Sequence, residues 1–175
     1  GCLSLPVAAD LDQDGDTEIL LNITSMFNGP GTLVVLEGDG GAEVWSDPFA
    51  KLAYGSPVAV GDIDGDGAPE IIGVRENESA LFSDGDYTAL AWDASGNQLW
   101  ESDHFVGLDF DYATAPILAD MDAVGAVEIV LGRVILNADG STRGVGEHGR
   151  GSYGVMDIIF TVSEASVPAV SDLDL

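Results

Sequence analysis

The sequence predicts an all-β protein: a partial β-propeller of four-stranded antiparallel blades, with about three blades and the start of a fourth. Three observations carry this. An aspartate-rich loop, D-x-D-x-D-G-x-x-E, recurs with first aspartates Asp10, Asp62, Asp120 and Asp172, at intervals of 52, 58 and 52 residues. Short aliphatic runs flank each copy, as Val58-Ala59-Val60 and Ile71-Ile72 do the second, and such runs are strand-like. Glycine is abundant, at 23 residues, and the 46% of apolar residues fall in short segments parted by turn signals. A four-stranded unit of this size cannot bury both faces alone, whereas units set side by side around an axis can.

The first blade spans about 3–52. Its strands are expected at Leu5–Leu11, Glu18–Thr24, Thr32–Leu36 and Ala42–Trp45. Asn28-Gly29-Pro30-Gly31 and Gly38-Asp39-Gly40-Gly41 supply the turns. The second blade, about 55–112, repeats the plan with Val58–Ile63, Glu70–Arg75, Tyr87–Asp93 and Gln98–Glu101. Ser102–Tyr112 reads as an acidic, aromatic connection that tucks Phe105 and Phe110 inward, or alternatively as a ligand-facing loop. The third blade, about 114–165, has strands at Ile117–Met121, Glu128–Leu131, Val134–Asn137 and a weak one from Thr142 to about Glu147. Gly144–Gly154 is a flexible connection, since no Lys-Ser/Thr follows as in a phosphate loop. Met156–Val162 reads as one apolar strand or short buried segment. Residues 166–175 begin a fourth blade, and a three-blade array leaves exposed sheet edges, so a piece of a longer chain is expected, the alternative being an assembly in which other chains complete the propeller.

The loops carry the chemistry. Carboxylates at alternate positions repel one another in water, and a hard divalent cation reverses that, because calcium accepts six to eight oxygen ligands. Asp10, Asp12, Asp14 and Glu18 share a register with Asp62, Asp64, Asp66 and Glu70. Gly15 and Gly67 stand at position 6, where the chain must turn sharply. Position 7, Ala68 in the second copy, offers a backbone carbonyl. Asp120, Asp122 and Glu128 form the third copy, but position 5 is Val124, so weak binding or none is expected there. An EF-hand fails as a rival, because position 12 is Leu21 or Gly73 and the flanks are not helical.

Composition narrows the partners. The net charge is −26, with Lys51, Arg75, Arg133, Arg143 and Arg150 as the positive side chains. Such a surface repels phosphate backbones and anionic membranes, so neither nucleic-acid binding nor membrane insertion is expected. Cys2 is the single cysteine, so there is no internal disulfide. Gly1-Cys2 resembles a bacterial lipoprotein junction, but Leu3-Ser4-Leu5 is not the polar tether such proteins have.

ADLDQDGDTEILL, GDIDGDGAPEIIG and ADMDAVGAVEIVLG resemble FG-GAP/VCBS-type repeats, which occur in the propeller of integrin α subunits and in many secreted bacterial proteins. The resemblance implies that the loop joins strands one and two of a blade and binds calcium. Carried over, it implicates Asp10, Asp12, Asp14, Asp16 through its carbonyl, and Glu18. It equally implicates Asp62, Asp64, Asp66, Ala68 through its carbonyl, and Glu70, while Asp120, Asp122 and Glu128 match in part. Glu closes the loop where integrins have Asp.

The expected function is a calcium-stabilised extracellular or cell-surface module for protein–protein or adhesion-type interaction. Calcium is structural and the segment is not an enzyme, since the acids sit at ligand spacing and His104 and His148 read as surface residues. The alternatives are a lectin that holds a glycan with Trp45, Trp92, Trp100, Tyr112 or the loop acids, and the non-catalytic part of a larger secreted enzyme. Trp45 and Trp100, each late in a blade, are read first as packing residues between neighbouring sheets.

Overall fold

A computed structural model describes residues 4–24, 29–77, 86–105 and 115–147, together with the backbone of 78, 106, 156–157 and 161–162. Among the described residues there is no helix, and every strand pairing is antiparallel. The first blade comprises β1 (Val7–Ala9), β2 (Glu18–Thr24), β3 (Gly31–Glu37) and β4 (Glu43–Leu52), paired in that order. The second comprises β5 (Ala59–Gly61), β6 (Glu70–Glu78), β7 (Asp86–Trp92) and β8 (Gln98–Glu101), followed by β9 (Phe105–Val106). The third is the sheet β10 (Ile117–Ala119), β11 (Glu128–Leu131), β12 (Val134–Leu136) and β13 (Thr142–Val145). Beyond it, Met156–Asp157 (β14) pairs antiparallel with Thr161–Val162 (β15), two short strands rather than one continuous strand.

The strand after each aspartate loop begins at the closing glutamate, as its aliphatic run predicts. Two departures concern the outer strands. β4 continues past Trp45 to Leu52, and its far end reaches β6 through the pair Leu52↔Arg75, joining the first two blades. In the second blade the matching strand is split: β8 and β9 both lie along β7, Ala91 opposite Trp100 and Tyr87 opposite Phe105. The connection from Ser102 is thus partly strand, and Phe105 packs inward as expected. Phe110 lies outside the described residues.

Two apolar layers hold the blades together. Leu11, Leu20, Leu33, Val35 and Leu52 meet Val58, Ile71, Leu90 and Trp92 between the first and second blades, whose strands join in one nine-stranded sheet. Ile63, Ile72, Val74, Tyr87, Ala89 and Ala91 meet Ile129, Leu131, Val134 and Leu136 between the second and third. The alternation of β6 and β7 explains this. Successive side chains point to opposite faces, so Ile71 and Ile72, or Leu90 and Ala91, feed different layers. Fully burying each large aliphatic chain contributes about 1.5–3 kcal/mol. The short first strands sit together at the inner end, with β5 in contact with both β1 and β10. A Cβ on Gly61 would come within 2.9 Å of Leu118, so glycine permits that approach.

The late tryptophans lock one sheet to the next. Trp45 donates its Nε1–H to the Ala94 carbonyl (2.9 Å), in the turn that ends the second blade's third strand. A Cβ on Gly96 in that turn would lie 2.8 Å from the Trp45 ring. Trp100 repeats the contact one blade on, where a Cβ on Gly140 would come within 2.5 Å of its ring.

Candidate metal centre

Each aspartate loop links strands one and two of its blade, and the pairing fixes its mouth. Glu18 stands opposite Ala9, Glu70 opposite Gly61 and Glu128 opposite Ala119. The glutamate then reaches back across the loop. Its Oε2 accepts the N–H of Leu11 (2.8 Å), Ile63 (2.9 Å) and Met121 (2.8 Å) in turn. All three glutamates are buried, at 5%, 4% and 3% exposure, which is unusual for this side chain unless it is paired. Leu11 and Ile63, buried in the core, anchor the near side of the first two loops.

The backbone bends alike in every copy. Position 4 is left-handed in Gln13 (φ 62°), Gly65 (81°) and Ala123 (57°), and position 6 in Gly15 (98°), Gly67 (93°) and Gly125 (85°). A positive φ is uncommon outside glycine, so its return at position 4 whatever the residue shows that the whole turn is one repeated shape. Side-chain to backbone bonds brace it. Asp62 accepts the N–H of Gly65 (2.7 Å) and Gly67 (3.0 Å), and Asp10 accepts that of Gly15 (3.1 Å). Asp12 and Asp64 accept from Asp14 (3.2 Å) and Asp66 (3.0 Å), while Asp14 and Asp66 accept from Asp16 and Ala68 (2.8 Å each). The first two loops also touch: the Gln13 side-chain amide donates to the Gly67 carbonyl.

The result is convergence of carboxylate oxygens. In each group one ligand atom per residue lies within 4.8 Å of the others: Asp10, Asp12 and Glu18; Asp62, Asp64 and Asp66; Asp120, Asp122 and Glu128. Asp14 falls outside the first group and Glu70 outside the second. All-oxygen sets of this kind suit calcium, magnesium or manganese rather than the softer metals. Burial, and then the charges of Asp64, Asp66 and Asp62, push the Glu70 carboxyl above its usual range, against the opposing pull of the Ile63 N–H. Negative charge is therefore crowded in the second loop, and a bound cation would relieve it. In chemical type the first two loops fit such an ion, which the converging atoms of Asp10, Asp12 and Glu18 would hold in the first and those of Asp62, Asp64 and Asp66 in the second.

The third loop does not fit in the same way. Val124 stands where the other two loops have an aspartate, 74% exposed, and Arg143 of β13 reaches into the carboxylates. Its guanidinium donates to Asp122 Oδ2 (2.6 Å) and to Glu128 Oε1. The hydrogen bond from Arg143 holds the Asp122 carboxyl below its ordinary range, and the same bond raises the Arg143 guanidinium. Spacing alone did not reveal this arginine.

The aromatic candidates for a sugar site fare unevenly. Trp92 is fully buried and donates to Asp47 Oδ2 (3.0 Å), so it offers no ring to a ligand. Trp45 and Trp100 are committed to the neighbouring turns. His104 is exposed, 3.2 Å from the Asp86 carboxylate. Tyr112, His148, Cys2, Arg150 and the start of the fourth blade lie outside the described residues.

Comparison with known proteins agrees with the fold. The fold is similar to that of rhamnogalacturonan lyase YesW, with a TM-score of 0.55 and 19% identity over 83% of this chain and 31% of that one. It is similar also to the exotype rhamnogalacturonan lyase YesX, with a TM-score of 0.53 and 19% identity over 83% of this chain and 30% of the other. The chain therefore spans less than a third of the length of either lyase. No curated protein matches it in sequence. The segment from the first aspartate of one loop to the end of the next aliphatic run, residues 10–73, matches the family model of the FG-GAP-like repeat, and the chain thus carries an FG-GAP-like repeat there.

Proposed function

We propose that this chain is a calcium-stabilised propeller module of an extracellular or cell-surface protein, that it serves protein–protein or adhesion-type contact, and that its calcium is structural rather than catalytic. One observation carries the reading. The first two loops share a backbone, a buried glutamate bonded across the mouth, and a triad of converging acids. A cation there joins both strands of the blade at their inner end. Extracellular calcium modules bind at about 10⁻⁴–10⁻³ M, which suits the calcium outside cells.

The likeness to two rhamnogalacturonan lyases favours a second reading, in which the chain is the non-catalytic propeller part of a larger secreted enzyme, or a glycan-binding module. A glycan array separates that reading from a protein-binding one.

Calorimetric titration with calcium tests the metal claim. Two ions should bind per chain in the range of about 10⁻⁴–10⁻³ M, and chelation should lower the melting temperature. A melting curve identical in calcium and in chelator sinks the reading.

A further inference from the structure

We propose that Arg143 is a resident counter-cation that replaces the metal of the third loop, so that this blade closes without calcium. Where it concerns the first two loops, this rests on the function proposed above; where it concerns the third, it stands on that loop's own contacts.

The register of the outer strands carries the argument. Trp45 lies opposite Val35, Trp100 opposite Ala91 and Gly144 opposite Ile135. The residue before each is then Val44, Leu99 and Arg143, at one position of the blade. Val44 and Leu99 are exposed apolar chains with no charge to offer. Arg143 alone of the three supplies a cation, and it does so in the one blade whose loop has lost the position 5 acid. Its two terminal nitrogens contact separate carboxylates, Asp122 on the loop and the buried Glu128 at its mouth. These are two of the three acids that converge in this loop.

The two roles are mutually exclusive. A divalent ion needs the oxygen atoms that the guanidinium already uses. It would also sit within a few ångströms of a permanent positive charge, since arginine does not lose its proton in proteins. The fork geometry of the guanidinium matches two carboxylates better than a lysine would. Arginine thus gives this loop the electrostatic closure that the other two obtain from solution.

Two measurements test this on the whole chain. In the first, backbone amide resonances are followed through a calcium titration of the unaltered protein. Leu11 and Ile63 should shift, while Met121 and Val124 should stay within the small drift caused by their neighbours. Met121 and Val124 shifting with the same midpoint and amplitude as Ile63 would overturn the proposal. In the second, calcium stoichiometry is compared for Val124→Asp, Arg143→Met and the double variant, with circular dichroism in chelator as the check on folding. Val124→Asp alone should bind no more ions than the unaltered chain, and the double variant should bind one more. If Val124→Asp alone gains a full extra ion, the missing acid and not the arginine had emptied the loop, and the idea is wrong. A chain that binds no calcium at its first two loops would sink the proposed function, yet the gain of one ion in the double variant would still support the role of Arg143.

Discussion

Glu70 sits where β6 begins, buried, with its Oε2 on the Ile63 N–H and three aspartates of its own loop nearby. Burial and those charges raise its folded-state pKa above the ordinary value of 4.5. The folded chain therefore keeps this proton longer than the unfolded chain does. Stability from this group is fully present below the unfolded pKa and diminishes as pH rises through the raised folded value. Glu70→Gln keeps the acceptor for Ile63 and removes the charge. In chelator the variant should gain melting temperature over the unaltered chain as pH rises from about 4 to about 7. In saturating calcium that gain should shrink, because the bound ion would already offset the charge of the acids around Glu70. Scanning calorimetry at several pH values reads both, and an equal gain in the two media would refute the assignment. Much of this was legible in the residues themselves: alternate acids, a glycine at position 6 and a closing glutamate define a loop wherever they occur. Arg143 was not legible, because it lies 15 residues from Glu128 and 21 from Asp122 and belongs to no motif. Only the pairing of β11, β12 and β13 brings it there.

At the scale of elements, the tryptophan locks are the feature most open to mutation. Trp45 combines a ring packed on Gly96 with a hydrogen bond to Ala94. Trp45→Ala should cost about 2–4 kcal/mol in urea unfolding, toward the low side for a core aromatic because the ring is only part-buried. Trp45→Phe should keep most of the packing and lose about 1 kcal/mol for the hydrogen bond. Gly96 has φ of 85° beneath that ring, so Gly96→Ala adds left-handed backbone strain of about 1–2 kcal/mol to a steric clash. Equal midpoints for Trp45→Ala and Trp45→Phe would show that the ring does not lock the blades. The tryptophans were readable as packing residues from their place late in each repeat. The outer strands were not readable in full. Ser46-Asp47-Pro48 looks like a stop, yet β4 runs through it, because the register shift between Leu33↔Asp47 and Gly31↔Leu52 leaves Pro48 in a bulge, where proline is tolerated. β9 was hidden for a related reason: Phe105 and Val106 are two residues in an acidic connection, and only β7 beside them makes them a strand.

The whole molecule sets calcium and charge against each other. A net charge of −26 on 175 residues makes the chain repel itself, most of all where loop acids crowd. Bound calcium would offset this locally, and a site at 100-fold excess over its dissociation constant would stabilise the fold by about 2.7 kcal/mol. With chelator present, sodium chloride at about 0.5 M should raise the melting temperature by screening. With calcium present, the same salt should do less, because the most crowded charges are already neutralised. Thermal unfolding in the four conditions reads this directly, and a salt response as large with calcium as without it would count against the loops as the seat of the repulsion.

β7, like β6, faces both apolar layers, and from Tyr87 to Trp92 none of its side chains reaches water. Parting the first blade from the second still leaves β7 sealed by the third, and the reverse holds as well. In deuterated solvent the amides of Ala89 to Trp92 should therefore be the last to trade their protons. Their rate times the separation of the entire array, where amides at the outer edges report only fraying.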